Sequence, residues 1–286
     1  MFNKSYVLKI FLIQLIGFNI FPINKIDAFV PYYNSPSKSF LKNSGNELGK
    51  NAYQLLYFGQ FKQGLALAKL AISLNTDDVK LWALLAEAQI SNKLYDDALI
   101  SINKGKLLNP LISELHFAES SIYINQKKIQ KAKSSLNKGL EIEPKNMNGL
   151  FQLGNIFLLE KDYQKALLEY DKLINIKSDF WQAINNKGLV YFELNETLLA
   201  IENFKNAINI EKNAEPMLAL AVCLQEINIK QSIKLAKEAL EKNPKYVSFE
   251  YRKEQLWGKN LQTATEKLFK LDELKKDIAN ANLYKN

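Results

Sequence analysis

Residues 147–180 read MNGLFQLGNIFLLEKDYQKALLEYDKLINIKSDF, and residues 181–214 read WQAINNKGLVYFELNETLLAIENFKNAINIEKNA. Laid one over the other, they place Gly188 under Gly154, Tyr191 under Phe157 and Ala200 under Ala166, each 34 residues apart. The register continues toward the N-terminus. Ala98 and Ala132 extend the alanine column, Tyr123 extends the aromatic one, and Pro110 and Pro144 keep the same spacing. Self-similarity at a fixed period marks an array in which each unit is one supersecondary element.

A 34-residue period with these residue types resembles the tetratricopeptide repeat (TPR). That repeat wants a large residue, a Leu-Gly pair and an aromatic in its first helix, then Ala, a large residue and a small one in its second, then Pro. The chain supplies Trp82, Leu85, Ala86, Ala98, Ile102, Gly105 and Pro110, then His116, Tyr123, Ala132, Leu136, Gly139 and Pro144. It continues with Leu150, Leu153, Gly154, Phe157, Ala166, Tyr170 and Leu173, then Ile184, Gly188, Tyr191, Ala200, Phe204 and Ala207. Flanking units start near Gly45 (Ala52, Gly64, Ala68, Ala71) and near Glu215 (Leu218, Ser232, Ala236, Ala239, Pro244), the latter two residues short near Asn228. The expectation is an all-α, right-handed α-solenoid of about six TPR helix-turn-helix units over 45–244, starting near residues 45, 79, 113, 147, 181 and 215. Small residues let helix axes approach, large ones fill the gaps, and Pro110 and Pro144 end second helices.

Residues 245–286 read as a helical cap over the last open core, with one helix over Tyr246–Trp257, a break at Gly258 and a second over Leu261–Ala281. At the other end, Lys4 and Lys9 flank and enter an apolar run from Val7 to Ile23 that leads to Ala28. A basic start, an apolar stretch and a small residue describe a secretory signal peptide over 1–28. The rival readings are an uncleaved membrane anchor over 7–23, whose 17 residues are short for a span, and an amphipathic first helix. No Cys lies near residue 28 to carry a lipid. Residues 29–44, opening with Phe29-Val30-Pro31-Tyr32-Tyr33, read as an extended leader.

The net charge of +8 comes almost wholly from lysine, with Arg252 the one arginine. Readers of nucleic acid favour arginine, whose planar fork matches phosphate and base edges, so no nucleic-acid partner is expected, and the charge reads first as a solvated surface and second as attraction to an acidic partner or membrane surface. One Cys, Cys223, allows no intramolecular disulfide and reads as a small apolar residue. One His, His116, sits at a core-filling position, so no zinc or other metal site is expected. There is no Gly-rich phosphate loop, hence no cofactor and no small-molecule substrate. Asp77-Asp78 reads as a helix cap and Asp96-Asp97 as a solvated turn. No catalytic constellation emerges, and an enzyme is not expected.

In TPR proteins the second, fifth, ninth, twelfth and thirteenth positions of first helices face the concave side. Here these positions hold Phe117, Ser121, Ile124, Phe151, Asn155, Leu158, Gln182, Asn185, Leu189 and Phe192, with Tyr53, Leu56 and Tyr57 from the first unit. Aromatics supply anchor pockets, and amides pair with the backbone of an extended peptide. A peptide-binding groove is therefore expected, with Asn155 and Asn185 fixing the client backbone. A TPR subgroup that clamps acidic chaperone tails uses Lys, Asn and Arg at fixed places. Gly49, Tyr53, Lys80 and Ala83 stand there instead.

Four strings, Phe29–Tyr32, Phe151–Phe157, Phe180–Phe192 and Glu254–Gly258, resemble exported TPR proteins of cyanobacteria and the chloroplast lumen. That resemblance implies a protein of the thylakoid lumen or periplasm that assists assembly of a membrane complex. The alternative is a static structural subunit held through its convex face or cap, with the basic patch Lys127-Lys128-Lys131-Lys133 as a contact.

Overall fold

The computed structural model describes residues 35–284. The proposed signal peptide or anchor and residues 29–34 of the leader lie outside them. The chain divides at Phe40 into a short N-terminal unit and the unit Leu41–Asn286, which carries the array.

Twelve helices form six antiparallel hairpins: α1 (Lys38–Tyr57) with α2 (Phe61–Leu74), α3 (Val79–Ser91) with α4 (Tyr95–Leu108), and α5 (Ser113–Asn125) with α6 (Ile129–Ile142). They continue with α7 (Met147–Leu159) and α8 (Tyr163–Ile176), α9 (Trp181–Glu193) and α10 (Thr197–Ile210), and α11 (Ala214–Leu224) and α12 (Ile229–Lys242). No strand occurs among the described residues. The fold is an all-α TPR solenoid.

The alanine column forms the seam of each hairpin: Ala98, Ala132, Ala166 and Ala200 are all fully buried. A Cβ added at Gly154 would stand 2.6 Å from the Tyr170 ring, and one at Gly188 would stand 2.5 Å from the Phe204 ring. Both rings are fully buried, so each glycine makes the space its partner fills. The turns inside hairpins repeat as well. Gly59, Lys93, Lys127, Lys161 and Asn195, spaced 34 apart, all take positive φ, between 58° and 74°. After each, the next amide reaches back to close the helix end, as in Leu94 N–H to Gln89 O at 2.8 Å and Lys128 N–H to Tyr123 O at 2.8 Å. This is a Schellman closure, which satisfies carbonyls the helix leaves open.

Three expectations need correction. Residues 38–44, expected in an extended leader, are the first turns of α1. Ser37 starts the helix, its Oγ accepting from Phe40 N–H at 3.1 Å. Asp96 and Asp97 lie in the first turn of α4 rather than in a turn before it, where carboxylates suit the positive helix end. The cap is more broken than expected. It comprises a 3₁₀ turn (Pro244–Val247), α13 (Phe249–Glu254), α14 (Lys259–Leu268), a second 3₁₀ turn (Asp272–Leu274) and α15 (Lys275–Tyr284). Asn243 and Ser248 each restart a helix by accepting backbone N–H bonds, and Leu271 breaks the last stretch with extended geometry.

The cap is pinned by the chain's one arginine. Arg252 is fully buried. Its Nη1 donates to the carbonyls of Tyr246 (2.8 Å) and Val247 (3.0 Å), its Nε to Gln262 Oε1 (2.8 Å) and its Nη2 to the Glu266 carboxylate. The guanidinium also lies 5.3 Å over the Phe269 ring.

Candidate functional site: the concave groove and its cap

The first helices α3, α5, α7 and α9 line one continuous concave surface. It holds two clefts of similar size, about 650 Å³ and about 640 Å³, which share Ser121. The larger is walled by α5, α7, α9, the start of α11 and the end of α13. Its floor is apolar, from Ile124, Phe151, Ile156 and Trp181. Its rim carries amides, from Asn125, Gln152, Asn155, Gln182, Asn186 and Gln255. The smaller cleft lies toward the N-terminal side, between Tyr53, Leu84, Ile90, Phe117 and Ala118.

The cap sets where the groove ends. Helix α14 packs on α9 and α11, both first helices. Glu193, the last residue of α9, accepts from the backbone N–H of Asn260 (3.2 Å) and Leu261 (3.0 Å), while its carbonyl accepts from Asn260 Nδ2 (3.2 Å). A carboxylate from one repeat thus caps a helix of the C-terminal domain end, where the free N–H groups favour an anion. A Cβ at position 258 would meet that carboxylate, which explains the glycine there. Beside it, Trp257 Nε1 donates to Glu215 Oε1 at 3.2 Å. Every residue of α11 is buried, packed between α10, α12 and the cap helix α14.

This placement sorts the expected groove residues. Phe151, Asn155 and Gln182 line the larger cleft, and Phe117 lines the smaller. Phe151 is held by Phe180 (ring centroids 5.4 Å apart) and Tyr170 (6.2 Å). Asn155 uses its oxygen internally, accepting from Tyr170 OH and from Asn186 Nδ2, both at 2.8 Å. Four expected groove residues are buried instead, among them Leu56 of the first unit, 7% exposed and packed in the core. Asn185 is 1% exposed, Leu189 1% and Leu158 5%. The cap packs over α9 and covers its ninth position, and Asn185 instead donates to Asn186 Oδ1 at 3.1 Å. Leu158 turns into the core, and Leu159 takes its place at the cleft. Phe192 is partly buried against the same core as the cap residues Trp257 and Leu261.

Helix positions beside the expected ones were missed: Gln152 and Asn186, each the sixth residue of its helix. The signal was present in the spacing, since each lies four residues after the second position and three before the ninth, on the face those two share. Glu254 and Leu256 were missed for a different reason. They reach the groove only because the cap folds back onto it.

The remaining candidates are structural. His116 is buried, with its Nε2 3.1 Å from Pro110 O. Cys223 is buried, and burial pushes its thiol up to about 12, far from the reactive thiolate. Asp78 caps α3, accepting from Lys80 N–H at 2.8 Å. Within the basic patch Lys133 pairs with Glu160 at 2.6 Å, and Lys131 lies 5.7 Å over the Tyr123 ring. Among the described residues no group of three metal-ligating side chains gathers, and no helix is long and apolar enough to cross a membrane.

Comparison with known proteins agrees with this architecture. The family profile "Tetratricopeptide repeat" matches residues 113–146 and 182–213. Among solved structures, one titled "Functional Characterization of Pseudomonas Aeruginosa pilF" aligns with a TM-score of 0.63 at 14% identity, over 76% of this chain and 98% of that one. The APC/C hetero-tetramer Cut9–Hcn1 gives 0.61 at 14%, over 77% and 46%. MamA gives 0.50 at 22%, over 56% and 94%. At these identities the likeness shows the fold. No curated protein matches the sequence.

Proposed function

We propose that this TPR-repeat protein is a non-catalytic binding module that holds an extended segment of a partner protein in its concave groove. The carrying observation is the larger cleft, an apolar floor rimmed by amides with bonding capacity to spare. Gln152 Oε1 is buried there without a hydrogen-bond partner. A buried acceptor left unmade costs free energy that a donor from an entering backbone would recover. Anchors at Phe151 and Phe117 would take apolar side chains, while Gln152 and Gln182 meet the client backbone without demanding one sequence. The cap closes the groove at α9, so the client lies along α3 to α9.

We further place the protein on the exported side of a membrane, in the thylakoid lumen or periplasm, assisting assembly of a membrane complex, there photosynthetic. The basic-apolar-small succession ending at Ala28 and the four strings resembling lumenal TPR proteins support this.

The test is affinity purification of the tagged full chain beside two variants, Gln152→Ala/Gln182→Ala in the groove and Glu202→Ala, an exposed residue of the second helix α10 that lines neither cleft. A partner lost only with the folded groove variant supports the reading. A partner kept by the groove variant and lost with Glu202→Ala moves the contact to the convex face, and favours a static structural subunit.

A further inference from the structure

The groove differs in charge from the rest of the molecule. Away from it, carboxylates lie among a surplus of lysines, and many pair with one: Glu119 with Lys106 (2.8 Å), Glu160 with Lys133 (2.6 Å), Glu169 with Lys172 (2.8 Å) and Glu226 with Lys267 (2.5 Å). In the groove, Glu87 and Glu114 line the smaller cleft, and Glu254 the larger; Glu215 also lines the larger one, but it is buried and hydrogen-bonded by Trp257, so its charge is not presented there. Neither Glu87, Glu114 nor Glu254, all exposed, forms an ion pair among the described residues. Lys80 is the one basic residue lining either cleft. A chain with a charge of +8 therefore presents an acidic inner face. These three carboxylates come from separate elements, α3, α5 and α13, so they run along the groove rather than clustering at one end.

We infer that the segment held in the groove is basic, an extended stretch in which lysine or arginine side chains alternate with the apolar anchors. This rests on the groove reading above and adds the chemistry of the partner. A segment lying over these carboxylates removes water from them. A neutral segment leaves them desolvated and unpaired, and an acidic one adds repulsion. A basic segment supplies the missing counter-charges. In an extended chain alternate side chains point to opposite sides, so anchors and cations sort onto different walls. Each exposed pair contributes little alone, and three together shift affinity by about tenfold. The field also steers the approach of a cationic segment, an effect that salt weakens.

The experiment uses the full chain and three pools of labelled peptides about twelve residues long. All pools are randomised at the same apolar positions, and the remaining positions are all Lys, all Gln or all Glu. Binding is read by fluorescence anisotropy on the wild type, on the solvent-facing triple variant Glu87→Gln/Glu114→Gln/Glu254→Gln, and on Gln152→Ala/Gln182→Ala. The expected result is a Lys pool bound about tenfold more tightly than the Gln pool, with that preference lost in the triple variant and reduced by salt. Equal binding of the Lys and Gln pools, or a Lys preference that survives in the triple variant, overturns the inference. If the pools bind equally but all weaken with Gln152→Ala/Gln182→Ala, the groove reading stands and only the charge inference falls. No binding by any pool overturns both.

Discussion

The Glu193 carboxylate accepts the backbone N–H of Leu261 at 3.0 Å, so a residue ending the fifth first-helix caps a helix 68 residues later in the chain. That contact couples the array to its cap and decides how much groove stays open. Replacing Glu193 with Ala removes an acceptor worth about 1 kcal/mol at a helix N-terminus. The amides of residues 259–268 should then exchange with solvent faster, while those of α5 to α8 keep their protection. Unchanged exchange over α14 would show that apolar packing alone holds the cap.

Glu215 makes cap docking pH-dependent. Burial raises its carboxyl from 4.5 to about 7, against the lowering effect of hydrogen bonds from Trp257, Asn185 and Tyr246. The folded state therefore keeps a proton that the unfolded chain has already released. The stabilisation is fully present below the unfolded value and is lost as pH rises through about 7. The loss amounts to roughly 3 kcal/mol. Glu215→Gln keeps an oxygen for Trp257 and removes the titration. Urea melts at about pH 5 and about pH 8 should show the wild type losing stability and the variant holding most of it. Parallel pH profiles for the two proteins would place the titration elsewhere.

Arg252 is a second lock on the cap. Lysine cannot replace its fork, because one ammonium cannot reach two carbonyls, Gln262 and Glu266 together. Arg252→Lys should cost about 3 kcal/mol and expose the linker between α13 and α14 to protease. A thermal melt identical to the wild type would count against that role.

Gly154 and Gly188 are positions where the array tolerates no side chain. In Gly154→Ala the new Cβ meets Tyr170, and in Gly188→Ala it meets Phe204, both rings fully buried. Each change should destabilise by about 1–3 kcal/mol, as overpacking does. Chemical denaturation of the two variants checks this. A loss below about 0.5 kcal/mol would mean that the hairpins separate easily at this seam.

Much of this fold was legible in the chain because its contacts are periodic. The alanine column and the glycines Gly154 and Gly188 recur every 34 residues, and each meets a neighbour one helix away, so spacing alone exposes them. The groove was legible only in part. Phe151 and Gln182 line the cleft because the array itself presents them there. Asn185 and Leu189 occupy equivalent helix positions, yet they are buried because a cap from far along the chain lies over their helix. No period reports a contact made once. The same holds for Glu215, whose significance depends on Trp257 arriving beside it.

The hairpin turns hold the last consequence of that periodicity. Lys127 and Lys161 are exposed and adopt φ of 58° and 61°, a region where a Cβ crowds the following carbonyl. The first turn meets the same demand with Gly59. The lysines stay there because the Schellman closure after each one, Lys128 to Tyr123 and Asp162 to Phe157, needs the left-handed residue whatever its side chain. Glycine relieves the crowding but gives the unfolded chain more freedom to lose, so the net gain is smaller than the strain. Lys127→Gly and Lys161→Gly should each stabilise the array by about 0.5–1 kcal/mol, and the double variant by about the sum, since the sites lie in different hairpins. Equilibrium urea unfolding measures both effects. If either substitution lowers stability, the lysine stem makes a contact in its turn that outweighs the backbone strain.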